Sequence, residues 1–596
     1  MTIYSKIAPL LSASQRSELL VLVALVFAMA LLDMVGVAAI LPFLAVLSNP
    51  TIIGTSGPLS LVYDTLGFET ETGFLTFLGF AVFALVIVGI GVRALTFYLI
   101  TRFNRRAVQH LAVSLLERYL ARPYEWYLNR NSAETGKMIL SEAAYVVNQV
   151  IAPAIRLAAN ALVALALVAL LLYLEPVGAM VAAVFLSGAF ALIYHFAGRW
   201  LSRVGEDRLR ATEERMRITQ EAMLGIKVIK LRNLEGEILS RFRGPSNRIA
   251  RHQATIHLIS DLPHYAMEAV CFGGMLVFVL WLVGSGGSLE AALPVIGAFA
   301  FAALRLMPLV QTIFRDAASV HAHGASVDAL LADLDGSRAP ATPASSGPVP
   351  RLPLRERLEL DGVSYRYPDA GRRALRDVSL TIERFSSVGF VGSTGAGKTT
   401  VIDIVLGLLT PHAGRLSVDG AVIDDTNRRA WQESIGYVPQ AIHLADDTIA
   451  ANIAFGVDAA LVDHGQVERV ARMACLHEHV ETLQAGYQTR VGEGGVKLSG
   501  GQRQRIGIAR ALYHEPDLVF FDEATSALDT VTERSVMEAL GTLRGTKTVI
   551  VVTHRLAAVR GCDKIIVMKD GAIAAQGAFD ELSSASEEFR ELLAAA

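Results

Sequence analysis

Six apolar segments, each near or above the roughly 20 residues that a membrane-spanning helix needs, lie in the first 320 residues of the chain. They run over residues 18 to 47, 73 to 101, 150 to 174, 176 to 197, 263 to 284 and 291 to 315. A lipid-exposed segment of this length must satisfy its own backbone hydrogen bonds, which favours helices. The sequence therefore predicts six transmembrane helices, with a tight hairpin at Pro176, through which a helix cannot run smoothly.

Composition agrees with a protein that lies partly in the lipid bilayer. The chain has 596 residues, of which 52% are hydrophobic and only 19% charged. This is too long for one core and too apolar for an ordinary soluble protein. The net charge of −3, with no basic domain or tail, gives no reason to predict a nucleic-acid partner. The three cysteines have no metal or disulfide spacing.

The loop charges predict the orientation. The loop over 48 to 72 has no Lys or Arg, whereas 102 to 149 has seven and 197 to 262 has thirteen. Because Lys and Arg concentrate on the cytoplasmic side, both basic loops and both termini are predicted to be cytoplasmic. The first apolar segment is longer than a signal-peptide core and lacks a small-residue cleavage site, so we expect it to stay in the mature chain.

The character of the sequence changes after residue 335. Residues 336 to 353, GSRAPATPASSGPVPRLP, lack periodicity and are rich in Pro, Ser and Ala, which is typical of a linker. Short β-rich runs then alternate with helical segments. The predicted domains are an all-α six-helix membrane domain over 1 to 335, a linker over 336 to 353 and an α/β domain over 354 to 596.

A phosphate loop is the strongest chemical signal in the α/β domain. In VGFVGSTGAGKTT a β-branched run enters a glycine-rich turn that precedes a helix, predicted over about Thr400 to Leu409. The turn's N–H groups would face phosphate oxygens, Lys398 would reach the β and γ phosphates, and Thr399 would offer its hydroxyl to Mg²⁺. The predicted ATP-binding residues here are Gly392, Ser393, Thr394, Gly395, Ala396, Gly397, Lys398, Thr399 and Thr400.

Two acids follow a predicted buried strand, Leu518 to Phe521. Asp522 is predicted to hold Mg²⁺, and Glu523 to orient or deprotonate the attacking water. A strand end with two solvated acids is the plainer alternative, but the phosphate loop in the same domain favours catalysis.

The run KLSGGQR over 497 to 503 makes the domain recognisable, because it resembles the signature of ABC-transporter ATPases. Other motifs of that family follow its order: VSYRYP with Tyr367, GYVPQ with Gln440, VGEGG over 491 to 495, SALD over 526 to 529 and VVTHR with His554. The resemblance implies that Tyr367 stacks on adenine, that Gln440 contacts metal and water, and that His554 contacts the γ-phosphate. Glu523, His554 and Gln440 are therefore the predicted catalytic residues, and Thr399, Gln440 and Asp522 the predicted metal ligands.

The same resemblance implies a dimer. Ser499, Gly500, Gly501 and Gln502, at a helix N-terminus, would bind the ATP held by the phosphate loop of a second chain. All motifs are intact, so a homodimer with two competent sites is expected, although a different partner chain stays open. The membrane half resembles exporter-type half-transporters, with coupling helices expected near 123 to 130 and 221 to 230.

Charged residues within or near the apolar segments are the candidate substrate contacts. Arg305 lies about 20 Å along the sixth predicted span, and two copies of it could bind a phosphate or pyrophosphate headgroup. An internal salt bridge with Asp33 or Glu268 is an equal alternative. Arg93 could instead extend to the interface, and His264 could pair with Glu268.

The membrane half is also similar to PglK-type flippases in LLDMVGVAAILPFLAVL, GVRALTFYLI, EAMLGIKVIKL and ALRLMP. This resemblance implies an ATPase that drives a polyprenyl-pyrophosphate-linked oligosaccharide across the bacterial inner membrane to its outer side, with Arg305, Arg93 and His264 as substrate contacts. An external amphipathic helix over about 58 to 66 would belong to that family, but a short packed loop fits the periodicity equally well. The alternative function is a multidrug, lipid or peptide exporter.

Overall fold

The computed structural model describes the backbone of residues 6, 10 and 12 to 595, apart from 49, 51, 56, 129, 131, 175, 285–288, 336–348, 369 and 524–540. Side chains are described except in those gaps and in stretches within 54–58, 132–134, 174–199 and 260–303, and at a few single positions. The chain forms two compact units. One contains residues 1–122 and 130–342, and the other contains 123–129 and 343–596.

The described part of the first unit is helical. Six long helices, of 23 to 50 residues, contain all or most of each predicted span; they are Ala13–Ala38, Glu71–Leu120, Ala152–Leu174, Pro176–Leu224, Glu235–Gly284 and Leu289–Ala322. The first predicted span, 18 to 47, is divided at Ala39 and continues in Ile40–Ser48, and the third begins in the π-helical turn Val147–Ile151. Shorter helices are Ile40–Ser48, Ile52–Thr55, Gly57–Thr65, Ser132–Lys137, Ala143–Val146, Ile226–Arg232 and Gly324–Asp335. Two π-helical turns, Met138–Glu142 and Val147–Ile151, flank Ala143–Val146.

Three stretches of the described residues are long and apolar enough to cross a membrane, namely Ala13–Ser48, Glu71–Leu120 and Thr135–Tyr173. The other three predicted segments lie within Pro176–Leu224, Glu235–Gly284 and Leu289–Ala322. Several helices extend well beyond the apolar segments, and Glu71–Leu120 has 50 residues where the apolar run has 29. Helices end at Leu174 and begin again at Pro176, and the two contact each other as the predicted hairpin requires.

The segment predicted to form an outer helix is helical over Gly57–Thr65. Of the three aliphatic side chains at helical spacing here, Leu59 packs on a small core around Phe74, whereas Val62 and Leu66 are 38% and 53% exposed. The aromatic ring of Tyr63 completes the packed face and meets Phe74 edge-on at 5.2 Å.

The second unit is built on two sheets. A four-stranded antiparallel sheet has the order β2-β1-β4-β5, with β1 Arg357–Tyr365, β2 Leu375–Glu383, β4 Ala413–Val418 and β5 Ala421–Val422. A six-stranded sheet has the order β10-β9-β3-β8-β7-β6. Its strands are β3 Ser387–Gly392, β6 Ile435–Val438, β7 Leu518–Asp522, β8 Thr548–Val552, β9 Lys564–Lys569 and β10 Ala572–Gly577.

Strands β6, β7, β8, β3 and β9 run parallel, and only the edge strand β10 is antiparallel. The central strands β3, β7 and β8 are almost fully buried, as expected for a sheet covered on both faces. The α-helices of the unit are Tyr124–Leu128, Lys398–Val405, Arg428–Gln432, Ile449–Ile453, His464–Met473, His477–Glu481, Gly500–Leu512, Leu556–Val559, Phe579–Ala585 and Glu587–Ala595. Three short 3₁₀ turns are Ala459–Leu461, Gly486–Gln488 and Glu493–Gly495.

The helix after the phosphate loop is shorter than predicted at its end. It runs over Lys398–Val405 and stops before Gly407, whose φ is +68°. The N–H of Leu408 donates back to the Asp403 carbonyl at 2.8 Å, which satisfies a terminal acceptor. A glycine in the left-handed region ends helices because it has no Cβ to clash.

Candidate functional site

Four predicted site motifs meet at one edge of the six-stranded sheet. The phosphate loop follows β3, Gln440 lies two residues after β6, Glu523 follows β7 and His554 lies two residues after β8. Because these strands are parallel, their carboxyl ends share an edge, where open α/β sheets bind their ligands.

The phosphate loop contains glycines at which any other side chain would clash with neighbouring atoms. Gly397 has φ +103°, and a Cβ there would meet Leu375 Cδ2 and the Ala374 carbonyl oxygen at 2.9 Å. At Gly392 a Cβ would lie 2.3 Å from the Met568 carbonyl oxygen. Close backbone packing therefore fixes the loop, and the helix Lys398–Val405 begins directly after it.

A cavity of about 560 Å³ lies beside the loop. Of the predicted ATP-binding residues, the ones that line it are Tyr367, Thr394, Gly395, Gly397, Lys398, Thr399 and Thr400. Gly392, Ser393 and Ala396 are not lining residues; they form the turn behind it. Glu523 and His554 also line the cavity, so the predicted phosphate loop and two of the predicted catalytic residues share one space.

Lys398 is folded over its own loop. Its Nζ donates to the carbonyl oxygens of Gly392 at 2.8 Å and Ser393 at 2.9 Å, and the residue is only 6% exposed. Burial lowers the pKa of this ammonium, while Glu523 and Asp522 oppose the shift. A buried cation whose ligands are two neutral carbonyls is suited to exchange them for phosphate oxygens.

Glu523 is held from two sides. Gln440 Nε2 donates to its Oε2 at 2.6 Å, and His554 Nε2 lies 2.8 Å from its Oε1. The backbone of Glu523 is left-handed, with φ +46°, and its N–H donates to the Val552 carbonyl oxygen at 2.8 Å. The three predicted catalytic side chains are thus in direct contact, and such strained backbone is frequent at functional sites.

Acidic groups crowd beside the loop. Burial, with Glu523 nearby, raises the pKa of Asp522, and a hydrogen bond from the Tyr437 hydroxyl at 3.2 Å opposes that shift. Burial and Asp522 raise the pKa of Asp403 to about 6. Of the predicted metal ligands only Thr399 lines the cavity; Asp522 and Gln440 lie next to the lining residue Glu523, in sequence and by a hydrogen bond respectively. A divalent cation would relieve the mutual repulsion of neighbouring acids, which is compatible with the prediction that Asp522 holds Mg²⁺.

The signature residues do not line this cavity within the described part of the chain. Ser499 caps the helix Gly500–Leu512, accepting from the Gln502 N–H at 3.2 Å, while its own N–H donates to Gln502 Oε1 at 2.8 Å. This capping box leaves the Ser499 hydroxyl proton and the N–H of Gly500 available to an anion from elsewhere. VGEGG forms the turn around Glu493–Gly495, and SALD lies outside the described residues.

In the membrane helices, the predicted cations meet an acid. Arg93 Nη2 donates to both oxygens of Asp33, at 2.6 and 2.7 Å, and Arg305 Nη1 lies 3.7 Å from Asp33 Oδ1. The Asp33 side chain is 3% exposed, and that of Arg305 20%. Arg305 therefore approaches Asp33, as the salt-bridge alternative requires, but Arg93 makes the shorter contacts with that carboxylate. Binding of a headgroup by Arg305 stays a prediction. The side chain of His264 lies outside the described residues.

Sequence reasoning missed several cavity residues. Arg372 and Arg373, in PDAGRRAL just after Tyr367, line the cavity together with Arg376, Asp570 and Gly571. The basic pair next to Tyr367, the aromatic residue predicted to stack on adenine, was a usable signal. Tyr437 and its bond to Asp522 had no signal in the sequence, because only the β6–β7 register brings them together.

Comparison with known proteins identifies the class. The family model of the ABC transporter transmembrane region matches residues 34–304, and the ABC transporter family model matches residues 375–526. An ATP-dependent lipid A-core flippase of Cupriavidus metallidurans is 30% identical over 490 residues, which is 81% of each chain. That of Bordetella pertussis is 29% identical over 571 residues, 95% of this chain and 88% of the relative. This chain belongs to the ABC transporter family.

A solved structure, that of a bacterial Atm1-family ABC exporter with ATP bound, shares the fold with a TM-score of 0.74. It is 24% identical and covers 96% of this chain and 98% of that one. The predicted fold class, an all-α exporter-type membrane domain followed by an α/β ATPase domain, is confirmed. The chain is an exporter-type ABC transporter of a bacterial membrane that binds ATP and couples its hydrolysis to transport.

Proposed function

We propose that the chain works as a homodimeric flippase that moves a lipid with a phosphorylated glycan headgroup, a polyprenyl-pyrophosphate-linked oligosaccharide, across the bacterial inner membrane. ATP hydrolysis drives the lipid from the cytoplasmic to the outer side. The observation that carries the substrate class is the cluster of Asp33, Arg93 and Arg305, in which two cations share one carboxylate.

The charge of this cluster supports an anionic substrate. Arg93 satisfies Asp33 with two short contacts, so Arg93 has a structural role and its charge is balanced locally. Arg305 then carries the excess positive charge; its side chain is 20% exposed, against 42% for Arg93, so its charge, and not its exposure, supports a contact with the substrate. A cation within an apolar helix is costly and calls for a partner. Two copies in a dimer would offer two guanidinium groups to a pyrophosphate, which they can bind in bidentate fashion.

The position of the signature residues supports a homodimer. Ser499 and Gly500 lie at a capped helix start, where the Ser499 hydroxyl and the Gly500 N–H can still donate a hydrogen bond. They are not among the residues that line the cavity of their own chain. In a dimer they would complete the cavity of the partner, which has the same sequence. The Ile226–Arg232 helix, with Val228 and Leu231 exposed, lies at the predicted second coupling segment.

Loop charge supports the orientation and the inner membrane. The 20 Lys and Arg residues of the loops 102 to 149 and 197 to 262 would face the cytoplasm, together with the ATPase domain and both termini. The loop 48 to 72, which contains the helix Gly57–Thr65, would face the outer side.

Mg²⁺ fits the same cavity edge. Thr399 offers a hydroxyl, Asp522 a carboxylate and Gln440 an amide oxygen, which are oxygen ligands of the kind that Mg²⁺ takes. A bound Mg²⁺ would neutralise phosphate charge. Glu523, bracketed by Gln440 and His554, is placed to take a proton from water, and His554 to contact the terminal phosphate.

A lipid A-type substrate is the second candidate, because the relatives at about 30% identity are named lipid A-core flippases. Lipid A also carries phosphate on a glycan, so the Arg305 cluster suits both. The transporter would then have to tell the two lipids apart by the number of their acyl chains and the position of their phosphate groups.

The experiment is a competition between substrates. Full-length protein in liposomes is given a fluorescent polyprenyl-pyrophosphate glycan, a fluorescent lipid A-type glycolipid or a cationic dye, and movement of each is followed with ATP. Arg305→Ala should slow the preferred anionic lipid at least about tenfold and leave basal ATP hydrolysis within about twofold. Arg315→Ala, in the same helix, is the matched control. Preferred transport of the cationic dye, or equal loss of ATPase and transport in Arg305→Ala, would contradict the proposal.

A further inference from the structure

The short helix Tyr124–Leu128 belongs to the same compact unit as the ATPase sheets, although residues 122 and 130 on either side belong to the helical unit. The chain therefore enters and leaves the ATPase unit within seven residues. Any shift of this segment is passed through covalent bonds to the long helix Glu71–Leu120 before it.

One polar contact ties this segment to β1. The Tyr365 hydroxyl donates to Glu125 Oε1 at 2.5 Å, and Tyr365 is 1% exposed. A short bond from a buried phenol to a carboxylate is among the stronger hydrogen bonds in proteins. Burial and Glu125 both raise the pKa of Tyr365, so its hydroxyl keeps its proton and stays a donor.

The ring of Tyr365 is wedged between two others. The Tyr367 ring packs edge-on against it, with 5.1 Å between the ring centroids and an angle of 87° between the planes. The His412 ring lies tilted against it, also with 5.1 Å between the centroids. The Tyr367 hydroxyl lies 3.2 Å from Thr400 Oγ1, within the phosphate-loop helix. Tyr367 is thus held by the nucleotide cavity at one end and by Tyr365 at the other.

Stacking uses the face of the Tyr367 ring, so a base that tilts this ring would change both its edge-on contact with Tyr365 and its contact with Thr400. Since Tyr365 is fully packed, it has little room to absorb the change without moving its hydroxyl. Tyr124, in the same short helix, is also within electrostatic reach of Asp403 and Tyr367.

We propose that Tyr365 is a positioning residue that reports an adenine base on Tyr367 to the segment 123–129, through the hydrogen bond between its hydroxyl and Glu125. The inference rests on the proposed ATP-driven transport and adds a function for the base itself. The phosphates bind at the phosphate loop, whereas the base moves the segment that joins the ATPase unit to the membrane helices.

Hydrogen exchange of residues 124 to 128 tests this inference. Full-length Glu523→Gln protein, which should hold ATP without turnover, is compared with no ligand, with Mg-ATP and with Mg-tripolyphosphate, which lacks the base. We expect the exchange rate in this segment to change by about tenfold with ATP, which is about the factor that one hydrogen bond to a carboxylate contributes. With tripolyphosphate we expect a change of less than about twofold. Equal effects of the two ligands would overturn the proposal.

Two variants identify the bond itself. In Tyr365→Phe the ring and its packing stay but the hydroxyl is lost, so ATP should no longer change exchange at 124 to 128. Glu125→Gln keeps an acceptor oxygen and should retain the response, whereas Glu125→Ala should lose it. Tyr487→Phe is the matched control, since the Tyr487 hydroxyl bonds to His477 Nδ1 at 2.9 Å, and it should respond like its parent.

The outcomes separate this inference from the proposed function. A chain that moves no lipid but shows the adenine-dependent change contradicts the proposed transport only. A chain that moves lipid, while Tyr365→Phe keeps the full ATP response, contradicts the role of Tyr365 only.

Discussion

His554 Nε2 lies 2.8 Å from Glu523 Oε1, while the other carboxylate oxygen of Glu523 accepts from Gln440. Three residues from three different strand ends therefore form one hydrogen-bonded set at the cavity. The arrangement fixes the direction of the Glu523 carboxylate, and each of its oxygens keeps a second acceptor site for water from the cavity that Glu523 lines.

Loss of the Glu523 carboxylate should abolish turnover and spare binding. Glu523→Gln keeps the size of the side chain but removes the base, so we expect ATP hydrolysis to fall by about 10² to 10⁴-fold, the usual contribution of a general base. ATP affinity, measured with a fluorescent analogue, should change little. Glu433→Gln, an exposed acid in the same unit, is the control. Hydrolysis near the parent rate in Glu523→Gln would assign the base elsewhere.

The membrane cluster predicts a difference between two arginines. Arg93→Ala leaves Asp33 buried and without its bidentate partner, so it should lower the unfolding free energy by about 3 kcal/mol. Arg305→Ala should cost much less, because Arg93 still holds the acid. The measurement is thermal unfolding in detergent.

A double variant checks that reasoning. Asp33→Asn together with Arg93→Ala removes the uncompensated charge and should recover much of the stability. If the two substitutions are simply additive, Arg93 does not stabilise the protein through Asp33.

Asp403 predicts a pH effect on the nucleotide-free protein. Its pKa of about 6 lies above its ordinary value, so the native state binds the extra proton between about pH 4 and pH 6. Stability should therefore fall as pH rises through this window, and the loss should then stay constant above it. Asp403→Asn should remove this slope and raise stability at pH 7 by about 1 to 2 kcal/mol, allowing for partial screening by solvent. An unchanged pH profile would contradict the burial assigned to this carboxyl.

Gly205 predicts a steric effect between two membrane-unit helices. A Cβ at Gly205 would lie 1.8 Å from the Ala322 carbonyl oxygen, so Gly205→Ala should destabilise the protein by about 1 to 3 kcal/mol, the usual cost of overpacking. Gly236→Ala is the matched control, since a Cβ there has no described atom within 4 Å, and it should be neutral or stabilising. Equal melting temperatures for the two variants would contradict the close helix contact.

The sequence was most informative where one motif is local. The phosphate loop and the acids after β7 could be placed from their own few residues, because a strand, a glycine turn and a helix start suffice to predict the geometry. The apolar segments likewise predicted long helices, since bilayer thickness sets their length. The contact of Gln440 with Glu523 depends on the order of β6, β7 and β8, which spacing along the chain does not contain.

Two features depended on packing between distant residues. Asp33 and Arg93 are 60 positions apart, and the sequence left Asp33 as a partner for any arginine in the membrane. The bond from Tyr365 to Glu125 spans 240 positions and joins segments that the sequence assigned to different domains. Only the folded chain shows that Arg93 makes the close contacts with Asp33, and that the helix Tyr124–Leu128 belongs to the ATPase unit.

ATP-dependent lipid movement tests the central claim most directly. Wild-type protein and Glu523→Gln are reconstituted in liposomes with a fluorescent polyprenyl-pyrophosphate glycan, and the fraction of the lipid that changes leaflet is followed with and without Mg-ATP. We predict ATP-dependent movement in the wild type and a loss of at least about 10²-fold in Glu523→Gln. Equal movement in the two proteins, or movement that does not need ATP, would contradict ATP-driven flipping.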